Sequence, residues 1–163
     1  MLKFREFLKE GNPLARMYQH SKEGRHFVGI SAARPGQSKK ERKAATEKLQ
    51  KYLRKRGYGY RKAEGHYEGD KEPSLVVHAK RRGTRAGKKL LKLAKKAGSR
   101  HDQDSILHHD GKTAKLVGTN KTGFPGKGKS EKVGTKLKYN NPESPFQTEL
   151  RPGKGRGPAR FTT

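Results

Sequence analysis

The sequence predicts an α+β domain built on an antiparallel sheet, on three observations. Short apolar runs of strand length alternate with two longer stretches that carry an apolar stripe at helical spacing. The order of these segments is strand, helix, strand, strand, helix, strand, strand. Each helix has one apolar stripe and is otherwise charged, so each needs a sheet face to cover. Together they give a small ferredoxin-like, or split βαβ, arrangement with two basic helices on one sheet face and one extra hairpin strand. An extended basic C-terminal tail completes the expected architecture.

Residues 2–10 read Leu-Lys-Phe-Arg-Glu-Phe-Leu-Lys-Glu, which puts Leu2, Phe4, Phe7 and Leu8 on one helical face before Gly11-Asn12-Pro13 stops the turn. So short a helix is marginal alone in water, so it needs a partner surface, either its own domain or another protein. Residues 11–25 read as a linker with one helical turn at Leu14–Tyr18. His26–Ala33 is a first strand, ended by Arg34-Pro35-Gly36. Ser38, with Glu41 three residues on, makes a capping box. The helix it starts runs to Arg56 and stops at Gly57, with Ala45, Leu49, Tyr52 and Leu53 as its buried stripe. Tyr58–Glu68 is a second strand, and Gly69-Asp70 a turn. A third strand opens at Leu75 and reaches Ala79. Thr84 caps a second helix with Ala86, Leu90, Leu93, Ala94 and Ala97 on its stripe and Gly98 at its end. Ser105–His108 and Thr113–Val117 flank the turn His109-Asp110-Gly111-Lys112, where Asp-Gly tolerates positive φ.

From Thr119 the pattern stops. These 45 residues hold seven Gly, five Pro, ten Lys/Arg and three acids. Tracts such as Gly126–Lys129 and Gly153–Gly157 do not repay the entropy of ordering by themselves. The expected organisation is an amphipathic peptide at 1–10, a linker at 11–25, an α/β domain at 26–118 and a Gly/Lys-rich extended tail at 119–163.

The charge speaks about partners. The formal net charge is +26 on 163 residues, and the run Lys80–Lys96 holds nine Lys/Arg and no acid. Such a surface repels itself until a polyanion neutralises it. Nucleic acid fits, because each bound phosphate releases a condensed counterion. Lysine outnumbers arginine on the two helices, which favours point contacts to phosphate over bidentate reading of bases. The residues expected to bind nucleic acid are Lys39, Lys40, Lys43, Lys51, Arg54 and Lys55 on the first helix. On and before the second they are Arg81, Arg82, Arg85, Lys88, Lys89, Lys92, Lys95 and Lys96, and in the tail Lys127, Lys129, Lys154 and Arg156. Tyr58, Tyr60 and Phe27 are either a stacking platform for bases or ordinary packing. Double-stranded DNA is favoured over RNA. No membrane partner is expected, since no segment approaches the roughly 20 apolar residues of a span. The N-terminus alternates charge with apolar residues, so no signal-peptide core is expected.

Chemistry is harder to find. The chain has no Cys, so disulfides and Cys-ligated zinc are out. His101, Asp102, Asp104, His108, His109 and Asp110 lie close in sequence, but adjacent strand histidines point to opposite faces, so a polar strand end is expected rather than a metal site. Glu64, Glu68, Asp70 and Glu72 surround a turn and read as a solvated loop that dilutes the positive field. No Walker loop, nucleotide-binding fingerprint, nucleophile elbow or zinc-protease helix is present. No catalytic residue, metal or cofactor is expected, and the chain reads as a non-enzyme.

Two resemblances add to this. His26–Ala33 followed by a helix, then Gly65, Glu72-Pro73-Ser74 and Gln103-Asp104-Ser105, resembles a family of small bacterial and phage α/β domains of unknown function. That resemblance covers about residues 26–118 and implies no activity. Met1–Glu10 resembles the capsid-targeting peptides of internal head proteins in T-even-type tailed phages, with Leu8, Glu10 and Gly11 fitting the prohead-protease cleavage pattern. It implies a virion interior location, host cytoplasm before assembly, and contact with phage scaffold and prohead protease. The function expected is therefore a non-enzymatic, sequence-independent DNA-binding protein packaged in a phage head. The alternatives are an RNA-binding or ribosome-associated protein, and an ejected host-directed effector.

Overall fold

The computed structural model describes residues 13–67, 70–134, 138–139, 146–150 and 159–162. Among them are three helices, α1 (Pro13–Lys22), α2 (Lys39–Lys55) and α3 (Thr84–Arg100). The nine strands are β1 (Phe27–Ser31), β2 (Arg61–Tyr67), β3 (Asp70–His78), β4 (Ser105–His109), β5 (Ala114–Gly118), β6 (Ser130–Gly134), β7 (Lys138–Tyr139), β8 (Phe146–Leu150) and β9 (Ala159–Thr162). They form one sheet in the order β6-β5-β4-β1-β3-β2-β8-β9-β7, and every neighbouring pair is antiparallel. The inner order β4-β1-β3-β2 is the expected split βαβ arrangement.

The sheet's two faces follow from strand alternation. Val28 and Ile30 of β1 share a face with Leu75 and Val77 of β3, Ile106 of β4 and Val117 of β5. Leu49 and Leu53 of α2 and Leu90, Ala94 and Ala97 of α3 join that same buried cluster, so both basic helices lie on one face. The Ser38 hydroxyl accepts from Glu41 N, and Glu41 returns the bond to Ser38 N at 2.7 Å, so the capping box starts α2 as predicted. At α3 the cap is Gly83, with no side-chain bond, and not Thr84. A Cβ at Gly87 would sit 2.1 Å from the His26 ring, so only glycine lets α3 approach β1 this closely.

The opposite face was missed. Residues 13–22, expected as linker, form a helix. Met17 is buried, and His20 meets the His78 ring edge-on at 5.1 Å between centroids. The contact stripe of α1 is Met17, His20 and Ser21, with little apolar content to betray it. Pro13, at the first helical position, was the signal available.

Among the described residues after Thr119, four segments are strands of the sheet rather than an unpaired tail. β6 pairs with β5 and β8 with β2, on the two sides of the sheet. Backbone ladders need no side-chain pattern, which is why isolated apolar residues gave no sign of them. No helix among the described residues is long and apolar enough to cross a membrane.

Candidate active site and basic face

The sheet has a step at one end. β1 makes its last pair with β3 at Ser31 and Ser74, while β3 continues back to Asp70 alongside β2. Glu72 and Pro73 therefore lie beyond the end of β1. Pro73 is tolerated in a central strand because its backbone faces the side where β1 has stopped. Its carbonyl there accepts from Ser31 Oγ at 2.8 Å, and no strand remains to need its missing N–H. Ser31 Oγ also accepts from Ala33 N at 3.1 Å. Polar residues 70–74 had been read as loop because the apolar pattern starts only at Leu75.

Glu72 is half-buried at this step rather than a solvated loop acid. Burial holds its carboxyl above the usual carboxylate range. The Ser31 hydroxyl and the Arg42 guanidinium pull it back, and the neighbouring Asp104 charge pushes it up again. Ser31 has one hydroxyl hydrogen, shared between Pro73 O and the Glu72 carboxylate, so neither acceptor holds it fully. Arg42 is oriented by its Nε bond to Gln37 O at 3.1 Å.

Asp104 arrives from the α3–β4 turn. After α3, Asp102 N donates to Ser99 O at 3.2 Å and Gln103 N to Gly98 O at 2.9 Å, a Schellman ending with Asp102 at φ 55 in the glycine position. Two contacts tie this turn to the loop after β1. Arg34 Nη1 pairs with Asp102 Oδ2 at 2.8 Å, and buried Gln103 donates from Nε2 to Ala33 O at 2.8 Å. The segment after β5 closes on the same place. Thr119 N donates to Asp104 O at 2.9 Å, and Thr119 Oγ1 donates to Gln103 O. A Cβ on Gly123 would fall 2.1 Å from Asp104 Cγ, so the loop rests directly on that carboxyl. The next residue in the chain, Phe124, is 64% exposed, a large apolar side chain presented to solvent.

The motif residues Glu72-Pro73-Ser74 and Gln103-Asp104-Ser105 are thus brought together at one sheet end. The sequence reading gave them no role. Ser31 and Phe124 were likewise not assigned, and Arg42 was counted only as one more cation.

The residues expected to bind nucleic acid lie elsewhere. Lys39, Lys40, Lys43, Lys51, Arg54, Lys55, Arg81, Arg82, Arg85, Lys88, Lys89, Lys92, Lys95, Lys96, Lys127 and Lys129 are all exposed. Lys154 and Arg156, and the processing residues Leu8, Glu10 and Gly11, fall outside the described residues. The aromatics are packing, not a stacking platform. Phe27 is fully buried and stacked on His109, with centroids 5.0 Å apart. Lys80 Nζ lies 4.7 Å from the Tyr58 ring and Arg54 Cζ 5.1 Å from that of Tyr60. Among the described residues no group of three His, Asp or Glu gathers as for a metal.

A half-buried carboxyl raised by its surroundings and set beside a second one, on a rigid sheet end, is an arrangement that enzymes use for chemistry. The family comparison points the same way. The S-adenosylmethionine lyase family matches residues 28–151, and this chain belongs to that family. The match takes in both motif segments and continues through β8, well beyond the domain boundary expected at residue 118. No curated protein matches the chain. The family match overturns the expectation of a non-enzyme. Neither composition nor local motif carries a sign of chemistry, because the acids that gather here come from two distant segments and neither segment is a known catalytic motif.

Proposed function

We propose that the chain cleaves S-adenosylmethionine as a lyase, with Glu72 as the counter-charge that holds and polarises the sulfonium. The supporting observation is the Glu72–Asp104 site within the family match. S-adenosylmethionine carries an ammonium and a sulfonium against one carboxylate, so it is a cation. A chain of net charge +26 repels it everywhere except where acids cluster. Glu72 and Asp104 make such a place, and exposed Phe124, next in the chain to the Gly123 that rests on Asp104, would offer a face for the adenine.

A lyase breaks a C–S bond without water or an oxidant, and the sulfonium leaves as a neutral thioether with the bonding pair on sulfur. Two routes supply the new bond. The substrate's own carboxylate can attack the carbon next to sulfur and close a five-membered lactone. Alternatively, Glu72 takes a proton one carbon further along, and an alkene forms. In the elimination route the raised Glu72 carboxylate is the stronger base, and in the lactone route, which needs no base, its ionised form serves only as counter-charge.

The test is incubation of the purified chain with S-adenosylmethionine, with thioether, lactone and alkene separated by liquid chromatography and mass spectrometry. A carboxylate about 4 Å from a cation at an effective dielectric near 20 is worth about 4 kcal/mol, or about 10³-fold. Glu72→Gln should therefore lower kcat/KM by about 10²–10³-fold. Its melting temperature should stay level or rise, since burial disfavours the ionised carboxyl that the change removes. An inert wild-type chain, or a Glu72→Gln variant as active as wild type, would defeat the proposal.

How the chain reaches its substrate is a second proposal, resting on the head-targeting resemblance of residues 1–10. An enzyme joins most simply with the ejected, host-directed reading, in which it is packaged with the genome and acts after delivery.

A further inference from the structure

On the opposite side of the helices from the sheet, we infer a docking plate for the phosphate backbone of duplex DNA, separate from the lyase site. α3 carries seven Lys/Arg and no acid. The two helices meet at their C-terminal ends, where Arg56 and Arg100 both lie over the Tyr52 ring, at 4.0 and 5.0 Å from its centroid. The outer surfaces of the two helices therefore form one cationic face. At its edge is a groove of about 500 Å³ lined by Tyr58, Lys80, Arg81, Arg82, Arg85 and Lys89. Lys80 is fixed there by donating to Arg56 O at 2.9 Å.

The occupant is argued from geometry and charge. α3 has 17 residues and is about 25 Å long, which spans about seven phosphates of one DNA strand. Lysines dominate its exposed face, and they make point contacts with phosphate. On this face Tyr52, Tyr58 and Tyr60 each have a cation over the ring, which disfavours stacking of bases there. A rigid duplex, read by its backbone alone, meets these conditions better than a splayed single strand.

The experiment is fluorescence anisotropy of the full chain on a random duplex between 50 and 200 mM salt. About eight phosphate contacts give a log–log slope near −7, a loss of about 10⁴-fold over that range. The variant Lys88→Gln, Lys92→Gln, Lys95→Gln, Lys96→Gln should flatten the slope to about −3.5. The variant Arg16→Gln, Lys22→Gln, Lys112→Gln, Lys132→Gln removes the same charge off the plate and should keep the wild-type slope. Both variants should cleave S-adenosylmethionine at the wild-type rate, so failure of the lyase reading leaves this test intact. Equal flattening by both variants would show net charge rather than a plate. Tighter binding to phosphatidylserine vesicles or to single-stranded RNA at equal phosphate, or no duplex binding, would overturn the proposal.

Discussion

Two histidines held neutral by burial are expected to make the fold acid-labile. His78 sits on the sheet face under α1, and burial first, then the neighbouring His20, Arg25 and Arg61, lowers its pKa to about 3. Its Nε2 has no hydrogen-bond partner among the described residues. His108 lies on the other face, 3.1 Å from His26, and burial first, then His26, lowers it to about 4 although Asp110 pulls upward. Both folded values lie below the unfolded value of about 6.5, so the unfolded chain takes up protons first as pH falls. Stability from both groups is present above pH 6.5 and is lost progressively below it, until the pH drops past the folded values. At pH 5 each has lost about 2 kcal/mol by that linkage, so the pair has lost about 4 kcal/mol. That is a large part of a typical domain's 5–15 kcal/mol. Urea unfolding followed by circular dichroism at pH 7 and pH 5, in about 0.3 M salt to damp net-charge repulsion, reads it directly. The expected fall in midpoint is about 2 M urea, and His78→Phe should recover about half of it. An unchanged midpoint, or a His78→Phe variant as acid-sensitive as wild type, would refute the reasoning.

Truncation after Gly118 removes β6 from the edge of β5 and β8 from β2, and it deletes the Thr119 anchor on Gln103. The expected result is loss of both solubility and S-adenosylmethionine cleavage, and a soluble, active fragment would show that strands β6–β9 are dispensable. The N-terminal residue of the protein recovered from its native source tests the targeting proposal: Gly11 supports cleavage in a phage head, and Met1 within a finished particle removes it.

The parts of this fold that were legible in the sequence are those whose burial is apolar. The stripes through Leu49 and Leu53 and through Leu90 and Ala94 fixed both helices on one face, and the capping box at Ser38 placed the start of α2. The parts that were not legible have backbone or polar reasons for their structure. α1 covers the sheet through Met17, His20 and Ser21, and β6–β9 are held by ladders that no side-chain pattern announces. The candidate site belongs to this second class. Glu72 lies where β3 overhangs β1, so its stretch has no apolar alternation for a local rule to read.

The non-enzyme reading failed for a related reason. Net charge sums a whole surface and reports on solubility and partners, not on chemistry at one point. Glu72 and Asp104 come from two distant segments that meet only after β1, β3 and the turn after α3 have been placed at the same end of the sheet. In a count over the chain they are swamped by forty-one lysines and arginines. In the fold they meet at one end of the sheet rather than on the outer faces of α2 and α3, so the proposed site for a small cation and the proposed face for a polyanion would draw on different residues.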